Sequence, residues 1–359
     1  MRRFLGPSIL VLGALLYSPP EARSETVRTI KTQLSGADAA HFAVENLLGT
    51  MRISAGTGSS VEIVATVSAE AADLADAVRL ERVGGSGPAT IRVRYPYEKV
   101  STFKYREPSD NDGFVGWSTS DAFEYDGHRV RVNRGRGTAL HADLDVKVPA
   151  SAIQASFSNL IGLVDADGLR GELKFRVTSA DVRLRRLDGR LVLEGSSGDI
   201  RARDIKGSWT SDFSSGDCDI AGFEGDALSF RTSSGDVVLR SVKARRAEFE
   251  STSGDVRLTG ADLQELSVEA TSGDITFEAS GSSLREARIR TSSGDVSLRL
   301  PSDMPFDVDA DQSSGDMNVR FADGTEVSHR DRVVGYRHGS GGAHIRVRTS
   351  SGDLTLSPG

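Results

Sequence analysis

Apolar residues along this chain follow a short period nested inside a longer one. Over the short range they alternate with polar residues, as in Val182-Arg183-Leu184, Ile200-Arg201-Ala202, Val256-Arg257-Leu258, Ile275-Thr276-Phe277, Val296-Ser297-Leu298 and Leu354-Thr355-Leu356. Cys218-Asp219-Ile220, Val237-Val238-Leu239 and Met317-Asn318-Val319 belong to the same set. The first and third places are mostly apolar and the middle is usually polar, which is the pattern of a strand with one buried face. Further inward positions precede each turn: Leu191 and Leu193, Leu228 and Phe230, Leu266 and Val268, Ile345 and Val347.

The longer period is set by a turn. Ser-Gly-Asp recurs at Ser197-Gly198-Asp199, Ser215-Gly216-Asp217, Ser234-Gly235-Asp236, Ser253-Gly254-Asp255, Ser272-Gly273-Asp274, Ser293-Gly294-Asp295, Ser314-Gly315-Asp316 and Ser351-Gly352-Asp353. A degenerate copy, Ser179-Ala180-Asp181, precedes them, and successive aspartates lie 18, 18, 19, 19, 19, 21, 21 and 37 residues apart. That interval is too short for a helical-pair repeat and suits one β-coil. The fold expected is all-β: a single-stranded β-helix of about 19 residues per coil, in which like residues stack in columns. One coil cannot bury its own apolar face, so the coils must stabilise one another. Glycine supplies the positive φ a bend needs, and the neighbouring serine and aspartate can cap nearby backbone N–H groups. Gly198, Gly216, Gly235, Gly254, Gly273, Gly294, Gly315 and Gly352, each with the aspartate that follows, are therefore read as structural turns.

Residues 25–150 form a β-rich N-terminal section that begins or caps the stack, and 151–359 form the repeats. Phe42–Ile53, Val61–Ala65 and Asp143–Pro149 read as its strands. Between them, Tyr95 to Asp126 lacks regular periodicity and holds eight of the chain's aromatic residues. Two readings stand for this segment. Its rings cover the open end of the stack, or Tyr97, Phe103, Tyr105, Phe114, Trp117 and Tyr125 form a contact surface for a partner or glycan. A second irregular stretch, 322–342, reads as a coil-sized insertion or lateral loop.

Charge and composition narrow the function classes. Met1-Arg2-Arg3, an apolar run from Ile9 to Tyr17 and Glu21-Ala22-Arg23-Ser24 read as a signal peptide, 1–24, with cleavage after Ser24. Its removal takes Arg2, Arg3 and Arg23 against Glu21 and moves the net charge from −7 to about −9. The expected location is periplasmic or extracellular, and no later apolar run is long enough to span a membrane. Acidic balance argues against nucleic acid as a partner, since phosphate binding needs clustered positive charge. The single cysteine, Cys218, sits at an inward position and reads as a small buried hydrophobe. The six histidines show no metal spacing, and no cofactor is called for.

The Asp145-Val146-Lys147-Val148-Pro149 strand followed by serial Ser-Gly-Asp coils resembles the bacterial β-strand-repeat proteins of unknown function labelled "putative adhesins", or toastrack-like domains. The resemblance covers Phe42 to Leu356 with a gap over the aromatic segment. It implies a single-stranded β-helix outside the cytoplasm and transfers no catalytic residue. The leading expectation is a non-catalytic binding or scaffolding module of the cell envelope, whose partner is an envelope protein or glycan. One alternative is a cation-binding stack that uses the turn aspartates, although the Gly-Gly-x-Gly-x-Asp pattern of calcium β-rolls is missing. The other is a polysaccharide-acting β-helix enzyme, which would need carboxylates converging on one face.

Overall fold

The structure is a computed structural model that describes residues 25–84, 87–105, 120–329 and 332–359. The segment 1–24, read above as a signal peptide, lies outside them. Almost all of the described chain is strand, paired into one large sheet with two short helices, Ala37–Ala40 and Ala72–Ala77. No helix among the described residues is long and apolar enough to cross a membrane.

The repeats stack as parallel strands. Ile153–Asp167 pairs with Arg170–Arg185 from Ile153↔Gly171 to Asp167↔Arg185. Asp188–Ser197, Ile200–Ser215, Cys218–Ser234, Val237–Ser253 and Val256–Ser272 then follow in parallel. The shared register converts alternation into columns. Val182, Ile200, Cys218, Val237, Val256, Ile275 and Val296 lie one above another and are all buried. A second buried column runs Leu173, Leu191, Trp209, Leu228, Ala247, Leu266 and Ala287. The rings of Phe230 and Phe249 stack 6.3 Å apart within a third. Each rung thus buries its apolar face against two neighbours, which supplies the stabilisation a single rung lacks.

The parallel pairing continues into the N-terminal section. His41–Ala55 pairs in parallel with Ile153–Asp167, placing Gly49 beside Gly162. Thr138–Val148 then pairs in parallel with the second half of His41–Ala55, and Ala89–Arg94 with the first half. Antiparallel partners close this end: Val61–Ala69 lies against Thr138–Val148, and Thr26–Leu34 against Val61–Ala69. The segment 95–126, which shows no periodicity in sequence, contains the strands Thr102–Lys104 and Ser120–Tyr125. The latter forms a hairpin with His128–Asn133.

At the other end the rungs depart from chain order. The last strand pair, Ala343–Ser351 and Leu354–Pro358, is inserted between earlier ones. Ala343–Ser351 lies between Glu286–Ser293 and Phe306–Ser314, and Leu354–Pro358 lies between Val296–Leu300 and Met317–Val319. The stretch 322–342 is the reason. It forms a hairpin of Thr325–His329 and Arg332–His338, whose second strand runs antiparallel to Phe306–Asp309. The outer edge of Phe306–Asp309 is thereby occupied, and the returning chain pairs on the inner side of Phe306–Ser314. There it buries Ile345 and Val347. The rings of Phe306, Phe321, Tyr336 and His338 pack together beneath the hairpin.

Candidate functional site

The turns superpose as one corner column joined by the aspartates. The backbone N–H of Asp199 donates to Asp181 Oδ1 at 2.9 Å, and that of Asp217 to Asp199 Oδ1 at 3.2 Å. Asp236, Asp255, Asp274 and Asp295 continue the ladder at 2.8–2.9 Å. It then passes from Asp295 to Asp353 and from Asp353 to Asp316, at 2.8 and 2.9 Å, reproducing the inserted order. An equivalent bond occurs in the N-terminal section, where the Thr50 N–H donates to Asp143 Oδ1 at 2.7 Å. Serine side chains run alongside, with Ser197 Oγ and Ser215 Oγ 3.2 Å apart.

Two constraints fix glycine at this corner. All eight turn glycines have φ between +101 and +140°, where a side chain is strained. The backbone of the adjacent rung is also in the way: a Cβ on Gly254 would lie 2.2 Å from the Gly235 carbonyl oxygen. Turn, column and backbone contact are therefore one arrangement.

The ladder answers how neighbouring carboxylates tolerate one another. One oxygen of each accepts the next rung's amide, and Arg201 and Arg257 approach the second oxygens of Asp199 and Asp255 at 4.0 and 3.9 Å. Burial pushes the Asp181 carboxyl above the usual aspartate range, against the opposing pull of the Asp199 amide. Among the described residues no group of three or more His, Cys, Asp or Glu is arranged to hold a metal.

Of the aromatics that one of the two readings made a contact surface, Phe103, Tyr105 and Tyr125 are buried in the core, as is Tyr95, and Tyr97 is half-buried. The Tyr95 and Tyr125 hydroxyls bond within the protein, whereas the buried Tyr97 hydroxyl has no partner among the described residues. Tyr95 donates to Asn46 Oδ1 at 2.9 Å and Tyr125 to the Val93 carbonyl at 2.9 Å. Asn46 in turn donates to Asn159 Oδ1 at 3.0 Å, a fully buried polar pair bridging two rungs. Tyr97 stacks on His128 with ring centres 4.5 Å apart. Phe114 and Trp117 lie outside the described residues.

Cys218 is buried in its column, and burial drives its thiol well above the ordinary value, so it is a poor nucleophile at neutral pH. His338 is held between the carbonyls of Asp323 and Ser302. The solvent faces of the strands carry charge ladders, with Arg231 on Glu250, Arg245 on Asp226 and Arg246 on Glu265. Sequence reading missed the Asn46–Asn159 pair and the order of the last rungs. The corner glycines Gly49 and Gly162 were the available signal that the parallel pairing continues into the N-terminal section.

These features define an all-β protein built from stacked, parallel repeat strands. Residues 207–357 match the family profile described as Toastrack DUF4097, the family that the serial turns resemble. Several solved structures are similar to the chain, the following three among them. A "putative lipid binding protein" from Parabacteroides distasonis is 12% identical, with a TM-score of 0.41 over 92% of this chain and 96% of that one. A "putative adhesin" from the same organism is 11% identical, with a TM-score of 0.37 over 92% and 97%. A "putative cell adhesion protein" from Clostridium sporogenes is 8% identical, with a TM-score of 0.23 over 93% and 100%. No curated protein matches the chain.

Proposed function

We propose that this protein is an exported, non-catalytic β-solenoid that binds or scaffolds a partner in the cell envelope, with residues 1–24 as its signal peptide. The corner ladder carries the reading. The turn aspartates Asp181, Asp199, Asp217, Asp236, Asp255, Asp274, Asp295 and Asp353 each have an oxygen committed to the amide of the next rung, so they serve the stack rather than a reaction. What the rungs offer to solvent is an extended series of charged strand faces, suited to a long partner. Open grooves lie along these faces, one lined by Asp212, Arg231, Glu250, Glu269 and Arg290.

Cross-linking in the native host, followed by identification of what is captured, tests this. A discrete envelope partner, retained when the ladder aspartates are changed to asparagine, is the expected result. Turnover of an envelope polysaccharide by the purified protein, abolished by those same changes, would overturn it.

A further inference from the structure

The inserted order of the last rungs has a chemical consequence on the solvent face. Across the strands, one row reads Ser267, Arg288, Arg346, Asp309 and the next reads Glu269, Arg290, Arg348, Asp311. Two arginine pairs are thus direct neighbours on parallel strands, about 4.8 Å apart, and the two rows are separated by roughly 6.6 Å along the strand. Like charges placed directly opposite destabilise a sheet. Chain-order stacking in the same register would have set Asp309 against Arg288 and Asp311 against Arg290. The fold gives up that complementarity.

The four guanidinium groups, with Ile289, line an open groove. Three have a carboxylate at the flank: Arg288 with Glu286, Arg290 with Glu269 at 3.0 Å and Arg348 with Asp311 at 3.6 Å. All three pairs are exposed, so each contributes little and leaves its arginine free to turn. The Arg346 side chain is exposed and makes no hydrogen bond or ion pair with any described residue.

We propose that Arg288, Arg290, Arg346 and Arg348 form an oxyanion site for a phosphate or sulfate group, either free or carried on a glycan. Guanidinium forks bind such oxygens through paired charge-assisted hydrogen bonds. A planar carboxylate offers two oxygens, too few for four forks in a two-by-two array, whereas a tetrahedral anion offers three or four. The site deepens the binding function proposed above and, as a biological claim, rests on it.

The test uses the whole mature chain at about 20 mM ionic strength, where the Debye length is roughly 20 Å. Inorganic phosphate, inorganic sulfate, dextran sulfate and unmodified dextran are titrated in turn. Binding of the anionic probes but not of dextran is expected. Arg346→Ser and Arg348→Ser should each weaken it about tenfold, the effect of losing one charge-assisted fork, while Arg245→Ser elsewhere on the rod leaves it unchanged. Because the Arg346 side chain makes no ion pair and stands opposite Arg288, its variant should keep or slightly raise the wild-type Tm. Binding of the free ions assigns the site to small anions, and binding of dextran sulfate alone assigns it to a glycan substituent. Wild-type indifference to all anionic probes, or equal binding by Arg346→Ser, would overturn the site. Capture of an envelope partner, measured in parallel, separates the two claims. Captured partner with unchanged anion binding by the variants removes only the site, whereas arginine-dependent anion binding with no partner captured removes only the scaffold reading.

Discussion

The carboxylates of the corner column stand close enough to repel, yet each holds the amide of the next rung. Their repulsion amounts to about 1–3 kcal/mol per pair, depending on the effective dielectric, and is screened by salt. Asp255→Asn keeps an acceptor for the Asp274 amide, 2.8 Å away in the native ladder, and removes one charge. It is expected to hold or raise the Tm and to flatten the rise of Tm with salt. Asp255→Ala loses the bond and should cost about 1 kcal/mol by chemical denaturation. Calcium and magnesium chlorides at matched ionic strength should act alike, whereas a rise specific to calcium would restore the cation-binding reading. At Asp181 the sign is set by burial, which raises the folded carboxyl above its ordinary value of 3.8. The ionised form is penalised in the folded state, a cost that disappears as pH falls through the raised value. Asp181→Asn should therefore be more stable than wild type at pH 7, with the gap closing toward about pH 4 in paired thermal melts. Gly254→Ala meets both strained φ and the Gly235 carbonyl. A loss of about 2 kcal/mol or more is expected in denaturant unfolding.

A strand in this stack has two faces of unequal worth. Leu258 is fully buried in the column between Leu239 and Phe277, and Leu258→Ala should cost about 2–5 kcal/mol. Arg231 on the outer face holds Glu250 through two nitrogens but is largely exposed, so Arg231→Ala should cost less than about 1 kcal/mol. Urea midpoints for the two variants check the ordering. The inner face was readable because alternation and spacing coincide: the residues one and three after each turn aspartate face inward, as Val182 and Leu184 or Val256 and Leu258 do. The first rungs were harder to read. Gly49 and Gly162 carry the corner without serine or aspartate, and Thr50 or Leu163 stands where the motif has Asp. The aromatic segment was opaque for another reason. Its strand Thr102–Lys104 has three residues, too few to show a period, so burial of Phe103 and Tyr125 depends on tertiary neighbours that no local pattern reports.

For the whole molecule, repetition specifies the rung but not the order in which rungs stack. From Ser197 onward the rungs present the same Ser-Gly-Asp corner and similar columns, so Glu286–Ser293 could accept either Phe306–Ser314 or Ala343–Ser351 in one register. Strand-to-strand charge favours the former, because it would pair Arg288 with Asp309. What decides for the latter is the hairpin of Thr325–His329 and Arg332–His338, which occupies the outer edge of Phe306–Asp309 and leaves only the inner edge for the returning chain. Neighbours on adjacent parallel strands fall within the Cα separation a disulfide requires, about 4.4–6.8 Å, whereas residues two rungs apart lie near 9.6 Å. Paired cysteines at 288 and 346 should therefore oxidise to a disulfide in the folded protein, while a pair at 288 and 309 should stay reduced. Cys218 is buried and does not interfere. Removing the hairpin's claim on the outer edge, by Tyr336→Asp in its second strand, should shift the rungs toward chain order and let the 288–309 pair form. If the 288–309 pair oxidises readily in the unaltered background, the rungs follow chain order, and the arginine site loses its structural basis with it.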